Sequence, residues 1–134
     1  MRSVLRIATM LLGAFFALQG LVWIADPGRA AAGLGMSLQD GLGRSTQIGD
    51  LTALFLTAGA TILVGSRPGR ARLLYVPIGL FGVAAVARTV AWTLHGAAFA
   101  GTFIAVELTA AAFLLVAARR LDEAPDASAL SRPR

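Results

Sequence analysis

The chain has 134 residues, of which 57% are hydrophobic and only 14% charged, and its mean hydropathy is +0.73; soluble domains carry about 25% charged residues, so the composition marks an integral membrane protein of one compact unit. The net charge of +5 comes from twelve arginines and no lysine, and these are not gathered with stacking aromatics on a polar face, which argues against a nucleic-acid partner. Cysteine is absent and histidine occurs once, at His95, which excludes disulfides and thiolate chemistry and leaves no ligand cluster for a metal; no cofactor is expected.

Four apolar runs approach the roughly 20 helical residues that cross a bilayer core: 4–24, 48–64, 73–94 and 99–118. The first follows Arg2 and Arg6, a pattern shared with a cleaved signal peptide. Its length, the presence of Trp23 near its far end and the lack of a clear A-x-A site before Asp26 favour a retained helix. The segment from Asp26 to Gly49 is long and rich in glycine. Asp26 before Pro27 is a helix-start signature, carboxylate as N-cap and proline at the first position, so a short helix through Ala32, ended at Gly33 or Gly35, is expected. Leu34, Met36, Leu38 and Leu42 would rest on the outer membrane surface as a cap over the bundle, the alternative being a flexible loop.

The second run is the shortest and has Asp50 near its start. In the third, Pro77 falls in the first turn, where a missing amide costs least. Trp23, Trp92 and Tyr75 fall near helix ends, as an aromatic belt would place them. Residues 121–134 mix Asp, Glu, Pro, Ser and Arg and are expected to form a disordered cytoplasmic tail. The expected fold is therefore all-α: an antiparallel four-transmembrane-helix bundle over 1–120 with a capping outer loop.

Arginine placement gives the orientation. Arg2, Arg6, Arg67, Arg70, Arg72, Arg119, Arg120, Arg132 and Arg134 fall on one side of a four-span chain, and only Arg29 and Arg44 on the other, offset by Asp26 and Asp40. By the positive-inside rule both termini face the cytoplasm, so a multi-pass protein of the cytoplasmic membrane is expected.

Ionisable side chains inside spans are costly and must pair or meet water. At a rise of about 1.5 Å per residue, Arg88 lies roughly 9 Å below the outer end of the third span, Glu107 roughly 12 Å below that of the fourth, Gln19 roughly 7 Å down the first and Asp50 roughly 3 Å into the second. These depths predict an Arg88–Glu107 pair between the last two spans. Gln19 and Asp50 would supply further acceptors, because guanidinium has five donors and no neutral form. Asp50 is alternatively the N-cap of the second helix. Trp92 and His95, at i+4 and i+7 from Arg88, extend the same face outward, making a polar funnel beneath the first loop. Small residues are expected to let the helices approach: Gly13 and Ala17 with Leu21 on the first, Ala53, Gly59 and Ala60 on the second, Gly79 and Gly82 on the third, Ala105 and Ala112 on the fourth.

The stretches "ADPGRAAAGLG", "GDLTALFLTAGATILVGSRPGRARLL", "ARTVAWTLHG" and "VELTAAAFLLVAARR" resemble the DUF4345 family of small four-helix bacterial membrane proteins over roughly residues 10–120. The family's arginine and glutamate motifs fall on Arg88 and Glu107. Where its members often carry an arginine and paired glycines in the second helix, this chain has Thr52, Leu56 and Thr57. The resemblance implies the four-helix fold and no biochemical activity.

No P-loop, dinucleotide glycine motif, nucleophile elbow or zinc motif occurs. Three readings remain. The first is a non-catalytic scaffold or accessory subunit that holds a membrane protein partner or a second copy of itself. The second is a module binding a lipid head group or small anion at Arg88, and the third a small proton-coupled transporter using Glu107 or Asp50. An enzyme is the least supported reading. Membrane lipids are expected partners in every case.

Overall fold

The computed structural model describes residues 2–122; Met1 and residues 123–134, which include most of the expected cytoplasmic tail, lie outside the described residues. The elements are α1 (Arg2–Ala25), α2 (Pro27–Gly33), α3 (Gly41–Gly65), a 3-10 turn (Ala71–Leu74), α4 (Tyr75–His95) and α5 (Gly101–Asp122). Four of the helical stretches, α1, α3, α4 with its leading turn and α5, are long and apolar enough to cross a membrane. This is the all-α, multi-pass architecture that the four apolar runs predict, and no strand occurs among the described residues.

The boundaries differ where polarity hides a helix. α3 starts at Gly41, seven residues before the apolar run, because Arg44, Ser45, Thr46 and Gln47 are helical but exposed or half-buried. Gly41 has φ +54, a left-handed conformation that glycine adopts without strain. Around it Arg44 holds the turn, with Nη2 on Asp40 Oδ1 at 2.8 Å and Nε on the Gln39 carbonyl at 2.9 Å. α5 runs on to Asp122, so Leu121 and Asp122 belong to the helix and not to a tail.

The spans pack chiefly as two pairs, α1 on α3 and α4 on α5. Glycine makes the first contact close. A Cβ on Gly59 would overlap the Ala17 backbone, one on Gly20 would lie 2.7 Å from Leu56 Cγ, and one on Gly13 would lie 2.9 Å from Ile62 Cγ2. These three meetings set an antiparallel register, in which the end of α1 at Ala25 and Asp26 comes level with Leu51 and Asp50 of α3. Other small residues have no such role: Leu21, Ala53, Ala60, Ala105 and Ala112 are exposed, and a Cβ on Gly79 or Gly82 would meet nothing within 4 Å. Ala110, Ala117 and Ala118 are the small residues that bury α5.

Phe16 joins the two pairs. Its ring lies 4.8 Å from Phe81 of α4 and 6.1 Å from Phe55 of α3, and around it gather Ala58, Ile62, Leu74, Ala110 and Leu114. The buried hydroxyls of Thr9 and Ser66 donate back to the Leu5 and Ile62 carbonyls at 2.8 and 2.7 Å, so neither is left unsatisfied.

α2 forms as the Asp26–Pro27 signature predicts, with Asp26 Oδ1 accepting from the Arg29 amide at 3.1 Å and a left-handed Gly35 just past its end. It covers Trp23, which is 1% exposed beneath Ala30 and Ala31 and against Leu34, Leu38, Ile48 and Leu51. Trp23 is thus a core residue, not a belt anchor, whereas Trp92 and Tyr75 stay exposed. The connection from α2 to α3 is docked, not free. Gln47 accepts from the Gln39 amide at 2.9 Å and donates to the Ser37 carbonyl at 3.2 Å. Of the four apolar residues expected on a membrane surface, Leu34 and Leu38 turn into this second core, while Met36 and Leu42 remain exposed.

Candidate functional site

α4 buries Pro77, Phe81 and Ala85 along one face, and Arg88 continues that line one turn further. α5 brings Phe103 and Glu107 to meet it. Arg88 Nε donates to Glu107 Oε1 at 2.8 Å, and the guanidinium carbon lies 4.9 Å from the centre of the Phe103 ring, a cation–π distance. The two residues are level because α4 and α5 form a hairpin. Arg88 stands about 10 Å from the His95 end of α4 and Glu107 about 9 Å from the Gly101 end of α5. Gly96 closes α4 in a left-handed conformation, with the Ala97 amide on the Ala91 carbonyl at 3.1 Å, and starts the return.

The pair is asymmetric. The Glu107 side chain is 13% exposed and that of Arg88 37%. Glu107 Oε2 is buried without a hydrogen-bond partner. Of the guanidinium donors only Nε is engaged by a described residue, so the Nη1 and Nη2 end is open. One turn along, Trp92 packs its ring 4.9 Å from Phe99 and is 47% exposed. His95, the last residue of α4, is exposed.

The structure does not bring Gln19 or Asp50 to this pair; among the described residues neither makes a hydrogen bond to Arg88 or Glu107. Gln19 rides α1, which packs on α3 and touches α5 far less than α4 does. Asp50 is exposed in the interior of α3, so it does not cap that helix; Asp40 occupies the N-cap position and spends its carboxylate on Arg44. Its level beside Asp26, at the end of α1, leaves Asp50 near the boundary of the apolar layer despite nine helical residues before it.

Sequence reasoning missed Phe103 and Phe99. The first is four residues before Glu107, the spacing at which one helix face presents both, and that signal was available. Thr52 carries a buried hydroxyl without a partner, which no spacing marks. A shallow apolar groove of about 810 Å³ runs between α1 and α5, with Ala8 and Leu12 on one wall and Ala105, Thr109 and Phe113 on the other. Among the described residues no three His, Cys, Asp or Glu side chains gather as a metal site would need.

Comparison with protein-family models, with curated proteins and with solved structures finds no match.

Proposed function

We propose that this protein is a non-catalytic scaffold or accessory subunit of the bacterial cytoplasmic membrane, with both termini in the cytoplasm. The observation that carries the reading is the use made of Arg88 and Glu107. Each ionised group set into the last two spans is engaged by the other, in a bond that fastens α4 to α5. The carboxylate is thereby committed to holding two helices together. Asp50 stands near the boundary and exposed, where a carboxylate can stay hydrated.

A scaffold works through what covers it. No more than 28% of the most apolar window of any span is buried within the chain. Leu11, Phe15 and Leu18 on α1 and Val106 and Val116 on α5 are exposed, and Val106 lines the groove. Lipid, a second copy or another membrane protein fills that space.

Native mass spectrometry of the detergent-extracted chain tests the proposal, since it reports partner, lipid and oligomeric state together. A stable stoichiometric complex is expected. Proton flux in liposomes driven by a transported solute and abolished by Glu107→Gln would overturn the reading in favour of a transporter.

A further inference from the structure

We propose that the open end of Arg88, together with the indole N–H of Trp92, binds a phosphate oxyanion, supplied by the head group of an anionic phospholipid in the leaflet nearest the α4–α5 loop. Glu107 takes only Nε, which leaves the two Nη groups as a planar fork of the kind that matches two phosphate oxygens. Donors left unmade in an apolar layer are costly, so an acceptor must come from outside the described chain. Glu107 engages one edge of the guanidinium only; it is 13% exposed, and its second oxygen is buried within the protein.

Placement favours a lipid. Arg88 lies about 10 Å from the end of α4, within reach of the head-group layer for a side chain that extends its charged tip toward the interface. Trp92 is one turn nearer that end and makes no hydrogen bond among the described residues; its ring is fixed against Phe99. His95 follows on the same face, at i+7 from Arg88. The face therefore offers a series of donors toward the loop, and Glu107 is the one carboxylate paired with it among the described residues. Phe103 lies against the guanidinium, 4.9 Å from its carbon to the ring centre.

The test uses the full chain in detergent micelles, titrated with phosphatidylglycerol or with diacylglycerol of the same acyl chains and read by native mass spectrometry. Phosphatidylglycerol should be retained about tenfold better, the difference one charged hydrogen bond supplies. Arg88→Lys keeps a cation opposite Glu107 but lacks the fork, so it should accumulate normally and lose most of that preference. Trp92→Phe, which does not touch the ion pair, should lose about threefold. A parallel arm adds inorganic phosphate without lipid. Arg88-dependent binding of inorganic phosphate, with no preference for phosphatidylglycerol, would support the oxyanion site and assign it to an aqueous source. If Arg88→Lys and Trp92→Phe both retain phosphatidylglycerol as the unaltered chain does, or if neither phosphate source binds, the proposal is wrong.

Discussion

Arg88 and Glu107 hold each other through a single 2.8 Å bond while Phe103, one turn from Glu107 on the same helix, supports the guanidinium from below. Two residues of α5 thus grip one side chain of α4. Truncating either partner should cost more than truncating both, because each single change strands a charge. In a double-mutant cycle with Arg88→Ala and Glu107→Ala, measured by unfolding in mixed detergent micelles, the coupling should be about 0.6–1.7 kcal/mol. A coupling of zero would show that the pair does not fasten these helices.

The α1–α3 contact makes a sharper demand. Gly59 faces the Ala17 backbone, and backbone cannot move aside as a flexible side chain can. Gly59→Ala should therefore destabilise the protein by about 1–3 kcal/mol, the usual range for overpacking. Gly79→Ala adds a methyl where nothing lies within 4 Å. It should be neutral or stabilising by up to about 1 kcal/mol, from helix propensity alone. Equal losses at the two positions in the same unfolding assay would contradict the register described for α1 and α3.

The spans were legible because each carries a long apolar run with a single charged residue inside it, and the Arg88–Glu107 contact because an antiparallel hairpin with a short loop fixes relative depth. Asp26–Pro27 announced α2 through local capping chemistry, which needs no tertiary information. What escaped shares one cause. The start of α3 and the sides of the helices depend on which neighbour each face meets, and hydropathy carries no direction. Residues 41–47 read as part of the capping connection because they are mostly polar, yet they are helical, anchored by Arg44 and Gln47. Trp23 read as an anchor because it sits near a helix end, yet α2 folds back over it. Gln19 had the right depth for the polar cluster and the wrong helix partner.

Trp23 and Trp92 give a matched contrast, one residue type at comparable places in two helices. Trp23 is fully buried under α2 and centres the second core, so Trp23→Ala should cost about 3–5 kcal/mol. It should also open the α1–α3 connection to limited proteolysis between Gly33 and Gly41. Trp92 is half exposed and meets Phe99, an aromatic contact worth about 0.5–1.5 kcal/mol, so Trp92→Ala should lose no more than that. The same protease digestion should leave it unchanged.

Antiparallel packing collects Arg2 and Arg6 at the start of α1, Arg67, Arg70 and Arg72 between α3 and α4, and Arg119 and Arg120 at the end of α5 on one end of the bundle. At the other end Arg44 is already paired with Asp40, and Arg29 stands near Asp26 in sequence. Basic residues in short connections resist translocation, so the arginine-rich end should stay in the cytoplasm. The chain has no cysteine, which makes single thiols unambiguous reporters. Ser37→Cys and Pro68→Cys both fall at exposed positions and leave every arginine in place. On intact cells an impermeant maleimide should label the first and spare the second, and permeabilisation should expose the second. Labelling of the Pro68→Cys variant alone before permeabilisation would invert the topology, and would move the open edge of Arg88 from the outer leaflet to the inner one.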